Sequence, residues 1–219
     1  MKPNRALALL LAILTALALF TGSVALPILC RPFYHAHIAP MELSRRSGLT
    51  AEEIKTAYGE MMDYCTGLQQ DFSVGVLPFS EEGASHFADV RFLFLLDLWA
   101  FALSALGLLI CFLLRKRLRP AKLGRHTFPF WAGTGLAVLF ALIGGLAALD
   151  FDAAFTVFHR IFFPGKDNWL FNPLTDPIIT LLPQDFFMHC ALLILALLLG
   201  GCALLILWDI HYSRTKGGR

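Results

Sequence analysis

Four apolar runs alternate with polar stretches along the chain, at residues 6–29, 92–114, 128–149 and 186–208. Each reaches the ~20 residues that a helix needs to cross a hydrocarbon core about 30 Å thick. Runs 6–29 and 128–149 hold no charged side chain, 92–114 holds only Asp97, and 186–208 holds a single histidine, His189. The pattern predicts four transmembrane helices. Between them lie two long connections, 30–91 and 150–185, and one short one, 115–127.

The long connections are patterned too, which predicts structured segments. Thr50-Ala51-Glu52-Glu53 reads as a capping box, with Thr50 as N-cap and Glu53 three residues on. Ile54, Ala57, Tyr58, Met61, Met62 and Cys65 follow at helical spacing, so an amphipathic helix packs through this face. In the second connection Phe155, Phe158, His159, Phe162 and Phe163 fall on one helical face. Aromatic rings collect at headgroup depth, so this predicts an interfacial helix. The fold class is therefore an all-α membrane protein whose residues 1–219 form one domain, four transmembrane helices with the two external segments as a cap.

Composition agrees, with 57% apolar and only 16% charged residues, against about 25% charged in soluble domains. The net charge of +2 excludes a nucleic-acid partner held by a cationic surface. The distribution of charge says more than its sum. The short loop carries six basic residues (Arg115, Lys116, Arg117, Arg119, Lys122, Arg125), the N-terminus adds Lys2 and Arg5, and the tail adds Arg214, Lys216 and Arg219. The long connections hold five basic residues against nine acidic and two against five. The positive-inside rule puts 1–5, 115–127 and 209–219 in the cytoplasm and both long connections outside. Lys2-Pro3-Asn4-Arg5 before an apolar run also fits a secretory signal, with Ser23-Val24-Ala25 as cleavage site, but the run is about twice a usual signal core and favours a retained helix.

The five cysteines lack C-x-x-C spacing and read as inert thiols, although a Cys30–Cys65 disulfide is open on the oxidising side. His35-x-His37 lacks the further ligands a zinc site needs. No Gly-rich phosphate loop and no G-x-S-x-G elbow occurs. No cofactor or metal is signalled. The histidines carry more information. His35, His37, His86, His159 and His189 fall on or near the outer side, and histidine is the side chain that is both neutral and basic near pH 7. His86, Asp89, Leu93 and Asp97 share a helical stripe continued by the small residues Ala100, Ser104, Gly107 and Cys111, which points the stripe at other helices. Asp97, a carboxylate at membrane depth, and Asp89, three residues after His86, are functional candidates.

Longer motifs point to a family. Phe158-His159-Arg160-Ile161-Phe162-Phe163, Trp169-Leu170-Phe171-Asn172-Pro173, Asp176-Pro177-Ile178-Ile179 and Leu181-Leu182-Pro183-Gln184-Asp185-Phe186-Phe187, with Ile54-x-x-x-Tyr58 and Ser85-His86-Phe87-Ala88-Asp89-Val90 upstream, resemble the signature of the bacterial lipoprotein intramolecular transacylases. The resemblance covers almost the whole chain; Gln184 departs from it, where an acidic residue is expected.

The resemblance implies an acyltransferase acting at the outer leaflet of the bacterial cytoplasmic membrane, among membrane lipids. Its substrate is a diacylated lipoprotein, and it moves the sn-2 acyl chain of the diacylglyceryl-cysteine onto the α-amino group of that cysteine, giving a lyso-form lipoprotein. His86 and His159 match the family's catalytic histidines, with Asp89, Asp97, Arg160, Trp169 and Asp176 as supporting candidates. Ester-to-amide transfer within one molecule needs proton traffic more than a covalent nucleophile. Asp89 is expected to hold the His86 tautomer, and Trp169 with the Phe cluster to exclude water; which histidine acts as base stays open. The alternatives are an intermolecular acyltransferase and a non-enzymatic scaffold or chaperone.

Overall fold

A computed structural model describes residues 3–217; Lys2 and Arg219, counted above for their charge, lie outside the described residues. Among the described residues there are eight α-helices and no strand: α1 Arg5–Leu29, α2 Arg31–His35, α3 Leu43–Ser47, α4 Ala51–Cys65, α5 Glu81–Leu113, α6 Phe128–Leu149, α7 Phe151–Phe162 and α8 Gln184–Gly217. A 3-10 turn, Pro177–Leu181, precedes α8. Four of these helices (α1, α5, α6, α8) are long and apolar enough to cross a membrane. Two exceed their apolar runs. α5 begins at Glu81, well before residue 92, and α8 runs to Gly217, beyond 208.

The chain divides into two compact units. The first comprises Met1–Ala25, Leu98–Ala148 and Leu193–Arg219. Its helices touch through small residues: a Cβ on Gly107 would meet Leu14 at 3.2 Å, and one on Gly133 would meet the Cys202 carbonyl at 2.9 Å. Close approach of this kind is how apolar helices associate where burial from water offers no drive. Asp209, fully buried, accepts hydrogen bonds from His126 and from the backbone and hydroxyl of Thr127, which fixes the entry into α6.

The second unit, Leu26–Asp97 and Leu149–Leu192, has a core of its own. The capping box at Thr50 forms as its sequence dictates, and Ile54, Ala57, Tyr58, Met61, Met62 and Cys65 are all buried. Tyr58 stacks on Tyr34, ring centroids 3.6 Å apart, and the Tyr34 hydroxyl donates to the Leu181 carbonyl at 2.8 Å. That bond ties the first connection to the second. Cys30 and Cys65 do not pair: all five cysteines are free, and burial pushes the Cys65 thiol up to about 12.

Two local devices set the site residues in place. The Asp150 side chain caps α7 by accepting from Ala153 N at 2.9 Å. At the start of α5, Ser80 Oγ accepts from Gly83 N at 3.0 Å, and Asp176 accepts from both the backbone and the hydroxyl of Ser80, each at 2.8 Å. A Cβ on Gly83 would run into the Asp176 carboxylate, so only glycine lets the 3-10 segment close on α5.

Candidate active site

His86 lies in the second turn of α5 and His159 in the third turn of α7; both are buried, 6% and 8% exposed. Their ring centroids stand 6.0 Å apart with the planes at 28°. The expectation that two imidazoles remote in sequence meet is therefore met in space. Phe163 touches both, edge to face with His86 at 4.9 Å and tilted against His159 at 5.6 Å. Phe171 meets His86 edge to face at 5.4 Å, and Trp169 stacks on His159 at 4.6 Å.

His159 Nδ1 is 2.8 Å from the Phe155 carbonyl oxygen. A carbonyl only accepts, so Nδ1 carries the hydrogen and the lone pair of the neutral ring sits on Nε2. Burial of the ring pushes its pKa below the ordinary histidine value, and the Phe155 carbonyl opposes this only in part. His159 is thus neutral near pH 7 with one defined basic nitrogen. His86 is the opposite case, since its Nδ1 is buried without a hydrogen-bond partner.

The chain after α7 turns back at Gly165, whose φ of +72° favours glycine. It then lies across α5. Lys166 Nζ donates to Asp89 Oδ1 at 2.6 Å, and Asn168 Nδ2 donates to Asp89 Oδ2 at 3.1 Å and to Ser85 Oγ at 3.4 Å. Trp169 Nε1 donates to the Lys166 carbonyl at 3.0 Å, closing the strap on itself.

Of the predicted residues, the structure brings His86, His159, Asp89 and Trp169 together. Asp89 differs from its expected part: its two oxygens are taken by Lys166 and Asn168, so it anchors the strap and does not bond the His86 ring. Asp97 sits eleven residues along α5 from His86, about 16 Å at 1.5 Å per residue, with Oδ2 buried and unpartnered. Arg160 is exposed on α7 and makes no ion pair among the described residues. Asp176, 3% exposed, holds Ser80 and the start of α5. Gln184 donates to Asp152 at the foot of α8.

The expected single aromatic face of α7 splits. Phe155 faces His159, whereas Phe158 and Phe162 are each 48% exposed beside Val157 and Ile161. These four make an exposed apolar side of α7. Lys166 and Asn168 escaped the sequence reading, because a lysine and an asparagine in a loop carry no periodic signal. A second pair escaped as well: His37 Nε2 lies 3.0 Å from His189 Nδ1, at a cleft of about 450 Å³ that Arg46 and Asp185 also line. Among the described residues no group of three or more His, Cys, Asp or Glu could hold a metal.

The model of the family described as lipoprotein intramolecular transacylase Lit matches residues 9–187. The chain belongs to that family. It is accordingly a membrane-integral acyltransferase of lipoproteins. The fold is also that of the membrane-integral lipoprotein intramolecular transacylase Lit from Bacillus cereus, solved in meso, with a TM-score of 0.83 at 24% identity over 96% of this chain and 95% of that one. Two variants of that protein, with one histidine replaced by arginine or by alanine, superpose with TM-scores of 0.76 and 0.75, each at 24% identity. The arginine variant covers 96% of this chain and 91% of its own, the alanine variant 95% and 94%. A search of curated proteins finds no match.

Proposed function

We propose that the His86–His159 pair performs the transfer, moving the sn-2 acyl chain of a diacylglyceryl-cysteine to the α-amino group of that same cysteine. The observation that carries this is the pair itself: two buried imidazoles 6.0 Å apart, one with its tautomer set by a backbone carbonyl. In this reading the reacting amine of the substrate sits beside both rings. The substrate enters with its α-ammonium there and its ester carbonyl alongside.

Burial holds the His86 pKa down at about 4 and disfavours the ammonium in the same place, so the first ammonium proton passes to His86. The freed amine attacks the ester carbon, and Nε2 of His159 takes the second proton as the C–N bond forms. The His86 imidazolium, now a donor, faces the oxyanion of the tetrahedral intermediate. The C–O bond to glycerol breaks as His159 returns its proton to the departing oxygen, which leaves as a secondary alcohol. The remaining proton on His86 passes to water. Amine and ester belong to one molecule, so orientation supplies much of the rate; effective molarities of such reactions reach about 10⁵–10⁸ M. Proton transfer by the histidines adds about 10²–10⁴.

The charge asymmetry of the loops supports a multi-pass protein of the bacterial cytoplasmic membrane, with both termini inside and the histidine pair at the outer leaflet. The exposed Phe158 and Phe162 suit α7 to the headgroup region, where aromatic rings collect and where a lipid ester lies.

The test is a crossover experiment with the full-length chain in lipid. Two diacylated lipopeptides of different sequence are mixed, one carrying a deuterated sn-2 chain. Intramolecular transfer leaves the label on its own peptide, now as an amide. Label appearing as an amide on the other peptide would replace this reading with an intermolecular acyltransferase, and no amide on either would leave a scaffold.

A further inference from the structure

Asn168 lies in the loop directly before Trp169, and its amide is fixed from one side. Nδ2 donates to Asp89 Oδ2 and Ser85 Oγ. On α5 these residues stand three after and one before His86, so the amide lies over the helical turn that carries the histidine. Asp89 is itself held by Lys166, and Trp169 next in sequence is held against His159. The amide plane is thereby set, and Oδ1 is turned away from Asp89.

Two buried polar atoms then remain without partners: Oδ1 of Asn168 and Nδ1 of His86. The Asn168 side chain lies beside the His86 ring. Leaving a buried donor or acceptor unpaired is costly, and here the two unpaired atoms are complementary once Nδ1 carries a hydrogen. Pairing them satisfies both atoms.

We infer that Asn168 is a positioning residue for His86, accepting Nδ1–H through Oδ1 and so placing the ring's lone pair on Nε2. The chain Asp89–Asn168–His86 takes the place of a direct carboxylate–histidine pair. A neutral amide fixes the tautomer as a carboxylate does, but it does not hold a proton on the ring, so His86 stays free to accept one from the substrate. The same tautomer is set on His159 by the Phe155 carbonyl, and both rings present Nε2 as the basic atom. The catalytic consequence rests on the proposed reaction; the tautomer does not.

The experiment uses the full-length chain in micelles, labelled with ¹⁵N-histidine, with the His86 signals assigned by their loss in His86→Gln. At pH 8 the wild type is expected to show a protonated Nδ1 and an unprotonated Nε2 on His86, and Asn168→Leu a mixture of tautomers. A wild-type His86 with unprotonated Nδ1 would overturn the proposal whatever the activity. In turnover, Asn168→Leu is expected to lower kcat about 10–100-fold with KM little changed, by analogy with partners that orient a metal-bound histidine. Asn168→Asp puts a carboxylate beside the ring and moves the acid limb of the pH profile up by about one unit. Wild-type kcat in the leucine variant, or an unmoved limb in the aspartate variant, would contradict it. The expected tautomer in a wild type that forms no N-acyl product would refute the transacylase mechanism and leave the positioning assignment intact.

Discussion

Trp169 lies on His159, ring centroids 4.6 Å apart and planes at 28°, with its indole N–H tied to the Lys166 carbonyl. The ring of the proposed base is therefore clamped between a backbone carbonyl at Nδ1 and an indole on its face. Removing the indole frees the imidazole to rotate and lets water reach it. Trp169→Ala is expected to cut the rate of N-acyl product formation by about 10–100-fold, while Trp169→Phe, which keeps a stacking face, retains most of it. The check is initial rates on a diacylated lipopeptide; equal losses in both variants would show that the stacking is irrelevant.

The His159 environment fixes the direction of the pH response. Burial favours the neutral ring and pushes its pKa below the ordinary value of about 6.5. The base form is the neutral one, so activity rises with pH and is already at its plateau near neutrality. The His159 limb falls below about 6.5. A pH–rate profile of the lipid-embedded chain measures this, and a His159 limb above that value would show that burial does not control the ring.

Gly83 and Asp176 test how α5 is delivered to the site. A methyl group at Gly83 collides with the Asp176 carboxylate, which accepts two hydrogen bonds from Ser80. Overpacking of this kind costs about 1–3 kcal/mol. Gly83→Ala is expected to lower the melting temperature in detergent and to lose activity through displacement of His86. Asp176→Asn, which keeps one carbonyl acceptor, is expected to melt between that variant and the wild type. An unchanged melting temperature in Gly83→Ala would contradict the clamp.

Arg160 provides the contrasting case. It sits next to His159 in sequence, within the motif shared with the family, but its side chain is exposed and makes no ion pair among the described residues. Arg160→Ala is expected to stay within about twofold of wild-type turnover, as surface changes away from specific contacts do. A loss of tenfold or more would assign it a part that the geometry does not show.

The features legible in sequence were those that repeat with a physical period or follow from a local rule. Apolar runs of membrane length gave the four long helices, and Thr50 with Glu53 gave the cap of α4, whose buried face matches its apolar spacing residue for residue. His86 and His159 were legible through the motifs around them. What failed was the assignment of partners across the fold. Asp89 stands three residues from His86 on one helix, so local reasoning paired them, yet the loop after Gly165 delivers Lys166 and Asn168 to that carboxylate from about 80 positions away. Asp176 looked like a site residue and is a clamp for Ser80, and the α7 face divides because His159 is at its inner edge. Contacts made by irregular segments leave no periodic trace, and these are the contacts that orient the histidines.

The central claim is that both imidazoles act on one substrate molecule, and tandem mass spectrometry of a lipoprotein N-terminus measures it most directly. The lipoprotein is isolated from bacteria that lack other N-acylating activity and express the wild-type chain, His86→Ala or His159→Ala at matched membrane levels. With the wild type the lipopeptide keeps the mass of its diacyl precursor but yields an N-acyl-cysteine fragment and a blocked amine. With either variant the amine is expected to stay free and both acyl chains to stay on glycerol. An N-acyl fragment at wild-type abundance from either variant would contradict the account.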